Sequence, residues 1–325
     1  MTRGLQSDGL TLMAGYILRR IAATVPVMLI VAVLVFLMLR LTPGDPAAVI
    51  AGDNANAEQI AAIRTRLGLD QPIVVQFFIW FGQILHGDFG ESFFFKKTVA
   101  ELIASRLEPT LALSLSTILI AVVVAVPLGV LAAYKQGTPI DKIVMGFSVL
   151  GFSVPVFVIG YSLIYLFAIQ LNWFPVQGYQ RLADGFGGFI ARLILPSLTL
   201  SVIYIALIAR MTRTSVLDVM GEDYIRTARA KGQVELKVLF HHALRNAAVP
   251  IVTVIGFGVA LLIGGVVVTE SVFTIPGIGR LTVDAVLARD YPTIQAVILL
   301  FSFVYVLINL IVDLAYRVFD PRIRY

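Results

Sequence analysis

Six stretches of this chain stay apolar for the length of a membrane crossing, at about 14–40, 109–134, 140–169, 194–216, 247–271 and 292–317. A helix needs about 20 mostly apolar residues to cross the hydrocarbon core. No water is available there, so the backbone must satisfy its own hydrogen bonds, and only helices and closed barrels do so. Runs this long are helical rather than strand-like, and they predict an all-α polytopic membrane protein with six transmembrane helices. Charge content agrees: 14% of residues are charged, against about 25% in a soluble domain. Pro109, Pro155, Pro196, Pro250 and Pro292 stand where these helices are expected to start or bend. The first run is too long for the apolar part of a signal peptide and has no small-residue cleavage site behind it.

Lysine and arginine set the expected orientation. With the N-terminus inside, the inner segments carry Arg19, Arg20, Lys135, Lys142, Arg317, Arg322 and Arg324. The 210–245 loop adds Arg210, Arg213, Arg226, Arg229, Lys231, Lys237 and Arg245. The short outer loops hold only Arg181 with Arg192, and Arg280 with Arg289. The positive-inside bias therefore predicts both termini in the cytoplasm. Residues 1–13 form the expected N-terminal segment, 14–40 the first span, 41–108 a long extracytoplasmic segment, 109–317 a five-helix core and 318–325 a tail. Within 41–108, the piece Ile73 to Leu85 has helical apolar spacing. It is expected to lie near the outer interface with Trp80 at headgroup depth, or to form a small cap over the bundle.

Several chemistries are excluded. The chain has no cysteine, hence no disulfide framework and no thiolate metal site, and its three histidines (His86, His241, His242) are too scattered for a metal cage. The net charge of +5 fits basic cytoplasmic loops, and no aromatic-basic nucleic-acid module accompanies it. No phosphate loop of the form G-x-x-x-x-G-K-[ST] occurs, so ATP hydrolysis by that route is absent. No nucleophile–base pair or carboxylate dyad stands out. An ion-driven secondary transporter is a rival class, but the span centres are nearly free of charge and no internal repeat is convincing. A channel or receptor would need a selectivity ring or a signalling domain.

The least membrane-like stretch is the loop 218–245. It reads as two short helices separated by Gly232. Asp223 is placed to cap the first, and Glu222 and Asp223 favour the positive end of its dipole. Arg226, Arg229 and Lys231 lie toward its other end, and Gly232 suits a left-handed position that stops it. One reading is a solvated connector with basic anchors for anionic lipid. The other is a docking element, with Ala228, Ala230 and Gly232 leaving a surface that a partner's groove can approach.

This stretch, "EDYIRTARAKG…HHALRNAAVP", resembles the coupling loop of permease subunits in bacterial ATP-binding-cassette importers, in the form found in the peptide branch. Of the general Glu-Ala-Ala…Gly pattern only Ala228 and Gly232 remain, with Arg226 and Thr227 in the other places. The likeness extends along nearly the whole chain: the first span with its "LTPGDPA" exit, "RLGLDQP" (66–72), "GDFGES" (87–92), "LPSLTL" (195–200), "VFTIPGIGRLTVDAV" (272–286), "RDYP" (289–292) and "DPRIRY" (320–325). It is most similar to the first of the two permeases in peptide, nickel and glutathione importers. The resemblance implies the type I importer permease fold and a non-catalytic subunit that binds no cofactor itself, ATP and magnesium residing on partner ATPases. It implies as partners a second, similar permease, two ATPase subunits and an extracytoplasmic binding protein, in a bacterial inner membrane. Glu222, Asp223, Tyr224, Arg226, Thr227, Ala228, Arg229, Lys231 and Gly232 become the candidate coupling residues. Gly256, Gly258, Gly264 and Gly265 are read as close-packing positions or as bore beside the pathway. Pro276 and Gly277 belong to an outer turn that the resemblance makes gate-like. Asp313 and Arg317, spaced i,i+4, are expected to pair on a helix surface.

Overall fold

The computed structural model describes residues 22–38, 40, 47–48, 56–66, 68–92 and 94–319. Side chains at 63, 66 and 315–319 also fall outside the description, and with them the expected Asp313–Arg317 pair. Among the described residues the architecture is all-α apart from one small hairpin.

Two compact units emerge, Met1–Ser105 with Thr282–Leu310 and Arg106–Leu281 with Ile311–Tyr325. In the first, helix α1 (Ala22–Met38) is followed by α2 (Ala57–Arg66) and α3 (Ile73–Leu85). Trp80, Phe81 and Ile84 of α3 pack with Ala32 and Val35 of α1 and with Leu299. The Phe36 and Trp80 rings lie 5.5 Å apart. Trp80 thus serves as a packing residue against α1, while Ile73, Val74, Phe78, Ile79 and Leu85 form an uncovered apolar face. A two-stranded antiparallel hairpin, β1 (Glu91–Ser92) and β2 (Lys97–Thr98), leads into the next helix. Its Ser92 hydroxyl donates to the buried Asp290 carboxylate, which also accepts the Thr293 hydroxyl at 2.7 Å.

Helix α4 (Val99–Tyr134) begins well before Pro109, and the expected start there is corrected. The backbone N–H of Glu101 donates to Thr98 Oγ1 at 3.3 Å, a side-chain cap that starts the helix at Val99. The segment expected as one span at 140–169 is not one unbroken helix. It is two helices, α5 (Pro139–Ser153) and α6 (Val156–Leu163), the latter continuing as a π-helix through Ile164–Gln170, and they meet at 104°. Proline disfavours helical backbone in the residue before it, and Val154 is extended, with φ −94° and ψ 124°.

Helix α7 (Phe186–Met220) carries Pro196 inside it and is the central helix of the second unit. It packs on α5, on α6 and on the later helix α11 (Ala248–Val272). Between α7 and α11 lie α8 (Asp223–Ala230), α9 (Glu235–Lys237), a π-helical stretch Val238–Ala243 and α10 (Leu244–Asn246). After α11 come α12 (Ile278–Leu287) and α13 (Tyr291–Phe319). By length and composition α4, α7, α11 and α13 can each cross a bilayer, and the bent α5–α6 pair makes a fifth span if counted as one. The first expected span is described only over α1.

Candidate functional site

Two regions gather the candidate residues. The first is α8 and the chain that follows it. Every third or fourth residue of α8 turns inward: Ile225 is fully buried and Ala228 nearly so. They join Val130 and Ala133 of α4, Val216 of α7, and Val238, Leu239 and Ala243 in one apolar cluster. Ala228 therefore faces the fold and is not part of a small-residue outer surface. Tyr224, Arg226, Thr227, Arg229, Ala230, Lys231 and Gly232 remain outside. The cap is also reassigned. Glu222 occupies the N-cap position with extended backbone (φ −72°, ψ 147°) and no side-chain cap bond, and Asp223 is the first helical residue. Asp223 instead approaches Arg226 at 3.5 Å, both largely exposed, a pairing worth little.

Gly232 ends α8 as its residue type suggests, with φ +74°. Its N–H donates to Arg229 O at 2.9 Å, and the Gln233 N–H donates to Ala228 O at 3.3 Å. This is the Schellman arrangement, in which a left-handed residue lets two N–H groups reach the last carbonyls of the helix. A side chain at 232 would meet nothing within 4 Å. Across this turn, Arg229 forks onto Glu235, with Nη2–Oε1 at 2.6 Å and Nε–Oε2 at 3.2 Å. That carboxylate holds the Arg229 guanidinium more firmly protonated than usual. His242 and Gln233 add a side-chain contact of 2.7 Å. Desolvation, and secondarily the Glu222 charge, raises the Tyr224 phenol above its ordinary range. The segment is therefore a helix–turn–helix element braced across its turn, whose outer face carries the polar residues of α8 together with exposed Val234, Leu236 and Phe240.

The remaining candidates lie along α11 and at the turn 274–280 that follows it. Gly256 and Gly265 are close-packing glycines, as one of the two readings expected. A Cβ at 256 would overlap Val312, and one at 265 would lie 3.0 Å from Leu200. A Cβ at 258 would lie 3.3 Å from the Tyr204 ring, whereas one at 264 would meet open space. Pro276 is exposed and Gly277 buried. The residue that organises this turn is Glu270, which sequence reasoning passed over. It is fully buried. Its Oε1 accepts the Thr110 hydroxyl at 2.6 Å and its Oε2 accepts the Arg280 N–H at 2.9 Å. Thr110 Oγ1 in turn accepts the Ile278 N–H at 2.8 Å. The carboxylate thus lies against the first turn of α12, where free N–H groups and the helix dipole favour an anion. Its bulk occupies the place of a side chain at 277, and a Cβ at Gly279 would be 2.7 Å from Val267 Cα. The available signal was a lone acid in an otherwise apolar helix, followed by P-G-x-G.

Comparison with known proteins adds to this geometry. Residues 125–325 match the family of binding-protein-dependent transport system inner membrane components, and residues 13–114 match the N-terminal model of such membrane components. A probable peptide ABC transporter permease protein of Sinorhizobium fredii is 56% identical over 96% of this chain and 100% of its own length. The glutathione transport system permease protein GsiC of Salmonella choleraesuis is 47% identical over 96% of this chain and 100% of its own. Among solved structures, the MetNI methionine ABC transporter in an inward-facing conformation superposes with a TM-score of 0.55. It is 19% identical and covers 67% of this chain and 96% of its own, a likeness of fold.

Proposed function

Because the chain belongs to the inner membrane components of binding-protein-dependent transport systems, we propose that it forms half of the pathway through which an ATP-driven importer takes up di- or oligopeptides. The chain is a non-catalytic permease subunit of an ABC importer, and hydrolysis belongs to partner ATPases. The full-length identity to a probable peptide permease carries the substrate reading. Glutathione, itself a tripeptide, is the second reading, favoured by the likeness to GsiC. In the proposed assembly two ATPase subunits dock below, one of them on α8, a second, similar permease completes the pathway, and a binding protein delivers substrate from outside. ATP and magnesium sit on the ATPases.

The proposed cycle is alternating access. Closure of the ATPase pair displaces the 222–246 segment, and the helices it is packed on reopen the pathway. Coupling of this kind needs an element that moves as a body. The Gly232 turn, the Arg229–Glu235 fork and the Ile225/Ala228 anchor support that role. The outer face of Tyr224, Arg226, Thr227 and Lys231 is the proposed ATPase contact. The turn at 274–280, held by Glu270, is the proposed gate-side element, with Gly256, Gly258, Gly264 and Gly265 on the pathway helix. The test is reconstitution in proteoliposomes with the second permease, both ATPases and the binding protein. ATP-dependent uptake of labelled trialanine, competed by other short peptides, is expected. Uptake of glutathione with exclusion of trialanine would move the assignment to the second reading, and ATP-independent uptake would sink both.

A further inference from the structure

Near the end of α7 that leads into α8, a buried carboxylate on α5 meets a partly exposed arginine of α7. Asp141, the third residue of α5, is 4% exposed. Its Oδ1 accepts Arg213 Nε at 2.5 Å, and its Oδ2 accepts Arg213 Nη2 at 2.8 Å and the Gly137 N–H at 2.9 Å. All these donors converge on one carboxylate, and the arginine fork fixes angle as well as distance. A buried ion pair is weak as a source of stability, because apolar residues of similar volume often serve equally well. What it does supply is directional: apolar ridges can slip past one another, and a two-bond fork cannot.

The surroundings are arranged around that joint. Gly129 of α4 meets α7 so closely that a Cβ would lie 2.6 Å from Ala209 O and from Thr212 Cβ, just before Arg213. Gly151, near the far end of α5, would place a Cβ 3.0 Å from Ala206 of α7. Val216 of α7 and Val130 and Ala133 of α4 share the buried cluster that receives Ile225 and Ala228 of α8. Beyond Gly151, the helical backbone breaks at Val154–Pro155.

We propose that Asp141 and Arg213 are positioning residues that make α5 move with α7 and the 222–246 segment, delivering displacement of α8 to the bend at Val154–Pro155. This rests on the reading of α8 as the ATPase-docking element. The pair touches no substrate and acts through the helices it joins.

The test uses the complete importer in proteoliposomes and reads peptide imported per ATP hydrolysed, at matched assembly. The probe is whichever of trialanine or glutathione the unsubstituted complex imports. Asp141→Asn removes the charge, and Arg213→Lys keeps the charge but loses the fork. Both are expected to retain binding-protein-stimulated hydrolysis while peptide per ATP falls at least about fivefold. The reversed pair, Asp141→Arg with Arg213→Asp, is expected to recover part of that ratio. If Asp141→Asn fails to accumulate, Arg213→Lys carries the measurement. An unchanged ratio, a proportional loss of uptake and hydrolysis, or no recovery in the reversed pair overturns the proposal. Absence of ATP-driven uptake by the unsubstituted complex instead overturns the docking reading on which it rests.

Discussion

At position 277 there is no space for a methyl group, because the Glu270 carboxylate fills it. Gly277→Ala is therefore expected to push that carboxylate from its donors, at about 1–3 kcal/mol for overpacking. Glu270→Gln turns an NH2 group toward a donor and leaves a buried group unpaired, also about 1–3 kcal/mol. Both should lower the thermal midpoint of the purified complex in detergent, and a midpoint unchanged in either would mean that the turn at 274–280 is not held by Glu270. Gly232 behaves differently. Its φ of +74° penalises any side chain, by about 1 kcal/mol or more, yet no atom lies within 4 Å of its Cβ position. Gly232→Ala and Gly232→Val share much of that backbone cost. Only the larger residue adds bulk toward a docked partner, so peptide uptake should fall further for valine than for alanine at equal membrane content. Equal uptake in the two variants would leave the connector reading standing. Lys231→Ala is the proper comparison for a lipid anchor. Arg229 is engaged with Glu235, so its removal loosens the turn itself.

At the scale of elements, the turn chemistry around Gly232 was legible because it is local: a left-handed position, short helices either side, and charges suited to each end. The inward turn of Ala228 was not, since the face a short helix buries depends on what packs against it, here Val130, Ala133 and Val216 from distant elements. The 140–169 run is similar. Hydropathy alone reads it as one span, because a break at Val154–Pro155 does not interrupt apolarity. The side of the membrane on which each element lies can be measured directly, since the chain contains no cysteine. Lys97 in β2 and Lys237 in α9 are both exposed. Single cysteines at these positions should react differently with an impermeant maleimide in spheroplasts: labelling at 97, and at 237 only after permeabilisation. The reverse pattern would invert the expected orientation.

For the whole molecule, the absence of a phosphate loop leads to a simple expectation. The purified chain should hydrolyse no ATP alone and should co-purify with an ATPase subunit when the two are co-expressed, in a manner weakened by charge reversal at Arg226 and Lys231. Hydrolysis by the isolated chain at rates comparable to the assembled importer would refute the division of labour. The amino-acid sequence by itself determined the membrane class, the all-α fold, the approximate places of the helices and the helix stop at Gly232. Each of these follows from interactions between a residue and the solvent or its near neighbours in the chain. Tertiary structure alone decided the rest. Thr110 and Glu270 are separated by 160 residues, and Asp141 and Arg213 by 72. Whether such polar residues face lipid, water or one another is set by helix packing, and a buried charge is tolerable only where that packing brings it a partner.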